Sequence, residues 1–139
     1  MSSSTAMETI HITDVAPRDG LQNQQVRVDA AFKLELIRKL AAAGLRSIEV
    51  GAFVSPKAVP QMADTAEIVR KLNELQRGSH EQPGLRTSVL VPNLRGLELA
   101  KDAGADEIAV VLSATETMNR KNINMSLQQA LEVSVAALH

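Results

Sequence analysis

The sequence predicts an α/β protein built on a parallel β-sheet, and two observations support this class. Short segments rich in β-branched residues alternate with longer amphipathic segments along the 139-residue chain. Similar helix endings also recur, as in the segments AAAGL and AKDAGA. Such alternation favours parallel strands joined by right-handed helical crossovers. The pattern alone leaves two layouts open, a doubly wound sheet and a (β/α)8 barrel.

Four βα units follow one another in the chain. The strands are predicted at residues 9–15, 47–53, 86–91 and 107–112, and the helices at residues 29–43, 64–75, 94–103 and from 126 onwards. Polar loops are predicted at residues 77–84 and 113–124. Residues 1–8 are expected to form a disordered tail, so that the domain spans residues 9–139.

The ends of the helices carry recognisable capping residues. Asp29 is placed to cap the first helix, and Gly44 and Gly104 are placed to end the first and third helices. Ser126 and Gln129 have the spacing of a capping box at the start of the fourth. The apolar stripe predicted for the first helix consists of Phe32, Leu36, Ile37 and Leu40.

Composition excludes several classes of function. With 15 basic and 16 acidic residues, the chain has no electrostatic footprint for nucleic acid. The absence of Cys excludes disulfides, thiolate metal sites and a cysteine nucleophile within these residues. No apolar run has the length of a signal peptide or of a spanning helix. We therefore expect a cytoplasmic protein with no membrane or nucleic-acid partner.

The number of βα units relates the chain to a complete barrel. His139 falls inside an amphipathic helix that shows no C-terminal cap. A complete (β/α)8 barrel takes about 250 residues, so four units make half of one. We therefore expect these residues to be the N-terminal half of a longer enzyme.

Polar side chains follow the predicted strands, where parallel α/β folds place their sites. Arg18 and Asp19 come after the first strand; an Asp suits a hard divalent ion and an Arg suits a developing oxyanion, although spacing alone favours a Pro-Arg-Asp-Gly turn with a solvated pair. Glu49 lies inside an apolar strand and needs a partner, which Arg18 could supply. Asn93 follows the third strand and could instead cap a helix.

Several stretches resemble the 3-hydroxy-3-methylglutaryl-CoA lyase family. They are VAPRDGLQNQ, IEVGAFVSPKAVPQMADTAEI, VLVPNLRGLELAKDAGADEIAVVLSATE and RKNINMS, in the family's order. The resemblance implies a TIM barrel of the pyruvate carboxyltransferase-like superfamily. It also implies a lyase that cleaves hydroxymethylglutaryl-CoA to acetyl-CoA and acetoacetate, in leucine degradation and ketone-body metabolism. The implied substrate is an acyl-CoA, and the complete protein is expected to form a homodimer.

The same resemblance implies roles for single residues. Asp19 matches a ligand of a divalent metal, Mg or Mn, and Arg18 matches the Arg that stabilises the enolate of acetyl-CoA. Glu49 is expected to act with Arg18 in catalysis. Arg18 is also expected to bind substrate, together with Gln22, Ser55 and Asn93. The family's remaining metal ligands, a His-x-His pair and an Asn, and its catalytic Cys lie in the second half of the barrel and are absent here.

Two other interpretations stay open at this point. A Claisen-condensing synthase of the same superfamily, such as isopropylmalate or homocitrate synthase, is one. Such synthases typically carry an acidic residue after Arg-Asp-Gly, where this chain has Leu21. The other is a catalytically inactive truncated half barrel, and we expect the 139-residue chain alone to have negligible lyase activity.

Overall fold

The computed structural model describes residues 9–78 and 84–138. Within these ranges the eight main elements are α1 (Ala30–Ala42), β1 (Ser47–Ala52), α2 (Thr65–Gly78), β2 (Arg86–Val91), α3 (Leu94–Ala103), β3 (Glu107–Val110), α4 (Glu116–Ile123) and α5 (Leu127–Leu138). Two short turns complete the set, a π-helical turn at Ala16–Gly20 and a 3₁₀ turn at Pro60–Met62. The predicted tail at residues 1–8 and most of the predicted loop at residues 77–84 lie outside the described residues.

The sheet is parallel, with its strands in the order β1–β2–β3. Neighbours in the chain are therefore neighbours in the sheet throughout the described part. A doubly wound sheet reverses its strand order at a switch point, whereas a βα barrel does not. The observed order therefore favours the barrel layout over the doubly wound one.

The strand predicted at residues 9–15 is wrong in extent. Only Asp14 pairs with the sheet, as an isolated parallel bridge to Ile48. Its amide donates to the Ser47 carbonyl at 3.0 Å, and its carbonyl accepts from the Glu49 amide at 2.8 Å. Ile10 is 85% exposed. Alternation of apolar residues predicted a strand here, but a strand forms only where its backbone groups have hydrogen-bond partners on a neighbouring strand. The first βα unit thus contributes one paired residue to the sheet.

The first helix begins where the sequence predicts, and its buried face is in part the predicted one, since Ile37 lies in the core and Leu40 packs against it. Asp29 accepts a hydrogen bond from the Phe32 amide at 2.8 Å and caps the helix. Ile37 is fully buried as predicted, but Phe32 is 54% exposed, and Lys33 is 1% exposed in its place. Lys33 can be buried because Asp64, far along the chain, neutralises its charge at 2.7 Å.

Two helix ends confirm the capping predictions. Gly104 ends α3 in the left-handed conformation at φ 80°, which glycine adopts without steric cost. The Ser126 amide donates to the Gln129 side chain at 3.0 Å, and the Gln129 amide donates to the Ser126 hydroxyl at 3.1 Å. Both arms of the capping box are therefore made at the start of α5.

The loop predicted at residues 113–124 is wrong, because most of it forms α4. Thr115 caps this helix by accepting from the Met118 amide at 3.3 Å, and Asn124 ends it at φ 54°. Asn119 is fully buried, and its side chain bonds both the amide and the carbonyl of Ser113. The polar composition of the segment suggested a loop, whereas its polar side chains cap the helix and form buried hydrogen bonds to the backbone.

The apolar core lies between the sheet and the helices that cover it. Its members come from β1, β2 and their flanks and from α1, α2 and α3: Ile37, Ala41, Ile48, Val50, Phe53, Ile68, Val69, Leu72, Leu85, Val89, Val91, Ala100 and Ala103. Ile108 and Val110 of β3 are partly buried and pack against them. Among the described residues, no helix is long and apolar enough to cross a membrane.

Candidate active site

Arg18 and Asp19 lie on the π-helical turn that follows the Asp14 bridge. The amides of residues 18, 19 and 20 all donate to the Val15 carbonyl, at 3.2, 2.8 and 3.3 Å. The Asp14 carboxylate accepts from the backbone amide at position 16 at 2.9 Å and fixes the entrance of the turn. The turn therefore holds two adjacent charged side chains just after the point where the first βα unit pairs with β1.

Arg18 connects a buried carboxylate to an exposed one. Its Nε donates to Glu49 Oε1, and its Nη1 donates to Asp19 Oδ1 at 2.7 Å. The exposed fraction of the side chain rises from 7% in Glu49 through 17% in Arg18 to 56% in Asp19. The partner that Glu49 needs inside its apolar strand is thus Arg18. The guanidinium is fixed on its buried side and reaches solvent on the other.

The backbone around Glu49 is irregular and firmly held. Glu49 pairs with Ser88 and Gly51 pairs with Val89, so the residue between Glu49 and Gly51 is an extra one in β1. A Cβ at Gly51 would lie 2.6 Å from the Thr65 side chain, so only glycine fits there. The Thr65 hydroxyl donates to the carbonyl of residue 52 at 3.1 Å. The strand end beside Glu49 is therefore fixed onto the start of α2.

Gln22 directly follows the turn and is half-buried. Its Oε1 is buried and has no hydrogen-bond partner within the described residues. A buried acceptor without a donor costs about 1–3 kcal/mol, so such groups are candidates for contact with a ligand. This orphaned atom is consistent with the substrate contact expected of Gln22.

Ser55 and Asn93 follow β1 and β2, as the sequence predicts, but stand outside the hydrogen-bonded group of Arg18, Asp19 and Glu49. Ser55 is exposed, and its carbonyl accepts from the amides of residues 58 and 59. Asn93 caps α3, since its Oδ1 accepts from the Gly96 amide at 2.9 Å. Because parallel strands end at one edge of a sheet, both residues lie on the edge that carries the turn.

Replacing Asn93 separates its capping from any role in binding. We expect Asn93→Ala to lower the free energy of unfolding by about 1 kcal/mol, because the Gly96 amide loses its acceptor. Asn93→Asp keeps that acceptor and should unfold at nearly the wild-type urea midpoint. A stable Asn93→Asp variant with weaker substrate binding would show that the side-chain amide also contacts substrate. Equal stability of the Ala and wild-type proteins would contradict the capping role.

Asp19 is the only predicted metal ligand in the chain, and the described residues do not complete a metal site around it. No group of three or more His, Asp or Glu side chains there is arranged to hold an ion. Mg²⁺ and Mn²⁺ bind about six oxygen ligands, of which Asp19 could supply one or two. Its exposed carboxylate is available in part, since only Oδ1 faces Arg18.

The resolved pKa shifts lie elsewhere on the surface. A hydrogen bond from Arg38 lowers the pKa of Glu35, and a hydrogen bond to Glu67 raises the pKa of Lys71. A hydrogen bond to Glu107 likewise raises the pKa of Arg86. All three are solvent-exposed ion pairs, so these shifts do not mark a reactive centre.

Asp14 also shapes the site, although the sequence places it only within the first predicted strand. The signal in the sequence was an Asp just before a Pro-containing turn, where its carboxylate can accept from the amide two residues later and form an Asx turn.

The fold and the turn together define the class: an α/β chain of the TIM-barrel type with a charged turn at the carboxyl edge of its parallel strands. A family model described as HMGL-like matches residues 9–139. The chain belongs to the HMGL-like family.

Curated relatives agree with this assignment. The chain is 48% identical over 124 residues to the cytoplasmic 3-hydroxy-3-methylglutaryl-CoA lyase of Rattus norvegicus, a match that covers 89% of this chain and 34% of the relative. It is 43% identical over 129 residues to the 3-hydroxy-3-isohexenylglutaryl-CoA/hydroxy-methylglutaryl-CoA lyase of Pseudomonas aeruginosa, covering 93% and 41%. The chain thus spans well under half the length of these relatives.

Solved structures of the same kind share the fold. The hydroxymethylglutaryl-CoA lyase of Pseudomonas aeruginosa matches with a TM-score of 0.79 at 43% identity, over 93% of this chain and 41% of that chain. The HMG-CoA lyase of Brucella melitensis matches with a TM-score of 0.80 at 42% identity, over 94% and 44%. The predicted fold class, a parallel TIM-barrel type present in part, is confirmed.

Proposed function

We propose that the complete protein to which this chain belongs is a hydroxymethylglutaryl-CoA lyase. The observation that carries the proposal is the turn that holds Arg18 against buried Glu49 in a chain of this family. Relatives named as lyases of this substrate, at 42–48% identity, support it. The same relatives support the lyase over a Claisen-condensing synthase. The proposed substrate is therefore an acyl-CoA, and the proposed place in metabolism is leucine degradation.

The proposed reaction is a retro-Claisen cleavage. A base removes the proton of the tertiary hydroxyl, whose carbon becomes the ketone of acetoacetate as the neighbouring carbon–carbon bond breaks. The electron pair of that bond passes to the thioester and forms the enolate of acetyl-CoA, which then takes up a proton. Negative charge develops on the thioester oxygen, which is where a fixed cation has the largest effect.

Arg18 is proposed to supply that cation. Its buried side is committed to Glu49, so the guanidinium does not have to reorganise when charge develops. Glu49 is proposed to act with Arg18 by fixing the orientation of its guanidinium group. Gln22, Ser55 and Asn93 are proposed to contact substrate. A divalent metal, Mg²⁺ or Mn²⁺, would supply charge for the substrate's hydroxyl and carboxylate oxygens, with Asp19 as one of its ligands. The described residues form only part of such a site.

Two further proposals concern the whole protein. A cytoplasmic location is supported by relatives named cytoplasmic, although others are named mitochondrial, so fractionation of the source cells decides it. A homodimer is proposed from the family resemblance alone, and sedimentation of the complete protein tests it.

The decisive experiment is an assay of the complete protein with hydroxymethylglutaryl-CoA and Mg²⁺ or Mn²⁺. We expect equal amounts of acetoacetate and acetyl-CoA, and loss of both products after chelation. The 139-residue chain assayed alone should release negligible acetoacetate, because Asp19 cannot complete a metal site by itself. Condensation of a 2-oxo acid with acetyl-CoA, without cleavage of hydroxymethylglutaryl-CoA, would replace the lyase by a synthase.

A further inference from the structure

The loop after the Arg18–Asp19 turn is attached to a distant part of the chain by two hydrogen bonds. Gln24 Nε2 donates to the carbonyl of Gly20, the last residue of the turn, at 3.1 Å. Gln61 Nε2, from the loop between β1 and α2, donates to the Gln24 carbonyl at 2.6 Å. These two bonds, which we call the Gln61 tether, connect the exit of the turn to Gln61, which lies 37 residues after Gln24.

The far end of the tether is built on the most firmly buried charge in the described part of the chain. The Gln61 carbonyl accepts from Lys33 Nζ, and Lys33 is 1% exposed. Asp64 neutralises the same ammonium at 2.7 Å, and Met62, between Gln61 and Asp64, is 3% exposed. A backbone held in this way offers a fixed base from which the Gln61 side chain can act.

The near end of the tether is where the turn needs support. The amides of residues 18, 19 and 20 share one acceptor, the Val15 carbonyl, which offers two lone pairs to three donors. Asp14 fixes the entrance of the turn through its carboxylate. The Gly20 carbonyl is held by Gln24 at the exit. Two backbone bonds also lie at this end, from the Leu21 amide to the Arg18 carbonyl and from the Gln24 amide to the Leu21 carbonyl at 3.2 Å. The tether adds a link between the exit of the turn and a distant segment.

We propose that Gln61 is a positioning residue for Arg18 and Asp19, acting through Gln24. Gln61 touches neither charged side chain, and its effect is to narrow the range of backbone conformations from which they project. The tether rests on geometry alone, whereas its importance for turnover rests on the proposed function. The two parts are therefore measured separately.

The first measurement is hydrogen exchange of the turn, by mass spectrometry of peptides covering residues 15–25 of the complete protein. Gln61→Glu keeps the side-chain length and loses the donor, so the amides at residues 18–20 should exchange about five- to tenfold faster. The matched control is Gln128→Glu, which loses a side-chain hydrogen bond to Glu132 on α5 instead. It should leave exchange in the turn unchanged.

A second pair of variants tests whether the two bonds act in series. Gln24→Ala removes the bond to Gly20 and should speed exchange about as much as Gln61→Glu does. If the bonds act in series, the double variant should add little to either single change. Additive effects would overturn the tether, as would faster exchange spread evenly over α1 and α2, which indicates general loss of stability.

The kinetic consequence is read in the same variants. We expect Gln61→Glu to lower kcat about five- to tenfold with little change in KM, since Arg18 acts when charge develops. If the wild-type protein shows no lyase activity but Gln61→Glu still speeds exchange in the turn, the tether stands and the proposed function falls. An active lyase whose turn exchange and kcat are both unchanged by Gln61→Glu would overturn the tether and leave the function intact.

Discussion

Replacing Arg18 by Gln should lower the kcat of the complete protein for hydroxymethylglutaryl-CoA at least about 100-fold. The magnitude is that of removing one preorganised donor from a developing oxyanion, about 10²–10³ in kcat. Gln keeps a neutral donor but loses the charge and the fork that binds Glu49 and Asp19 together. Arg18→Lys should also lower kcat, because a single ammonium group lacks the planar fork with which the guanidinium binds both carboxylates.

The matched control for Arg18 lies on the surface of α1. Arg38 also binds a carboxylate with two nitrogens, since its Nε and Nη2 donate to Glu35 at 2.8 Å. Its side chain is 61% exposed, however, so Arg38→Gln should leave kcat unchanged. Urea midpoints of both variants separate loss of folding from loss of chemistry. If Arg18→Gln keeps the wild-type kcat and the wild-type urea midpoint, Arg18 has no catalytic role.

Replacing Lys33 by Met should lower the free energy of unfolding by about 3–5 kcal/mol, the usual result of breaking a buried ion pair from one side. The side chains of Lys33 and Asp64 are 1% and 7% exposed, and Asp64 Oδ2 already lacks a partner within the described residues. Met fills the space but leaves the carboxylate buried without its cation. The Gln61 carbonyl loses a donor in the same variant. Urea denaturation measures the change.

Two variants make this prediction specific. Lys39→Met, on the exposed side of the same helix, breaks a pair with Glu35 at 3.7 Å and should change stability by less than about 0.5 kcal/mol. Lys33→Met combined with Asp64→Leu removes both charges and should regain much of the loss. A double variant less stable than Lys33→Met alone would show that Asp64 stabilises the fold in another way.

Elements with strong end signals were predictable from the sequence. β2 and α3 have the predicted bounds, because Pro92 and Asn93 separate them and Gly104 must end the helix. α4 was missed because its few apolar residues give no helical period, and its caps are recognisable only once the helix is considered. The strand predicted at residues 9–15 had the right period, but a period does not reveal whether a neighbouring strand is there to pair with it.

The site was predictable only where a charged residue stands out from an apolar surrounding sequence. A carboxylate inside an apolar strand needs a partner, and this requirement pointed from Glu49 to Arg18. Lys33 and Gln61 gave no such signal. Lys33 lies on an amphipathic helix, where a Lys is expected on the exposed face, and Gln61 donates to a backbone carbonyl whose position depends on the path of a loop. Side-chain bonds to distant backbone leave no trace in residue type or spacing.

The pairing of Arg18 with Glu49 also limits how this chain can exchange segments with its relatives by recombination. The turn belongs to the first βα unit and the carboxylate to the second, so the pair spans two modules of the barrel. A crossover between residues 20 and 47 joins a turn from one parent to a strand from another. Chimeras of this kind should retain the site only where both parents supply the Arg and the Glu at the same register. The smallest segment that can carry the site to another barrel is therefore a pair of adjacent units.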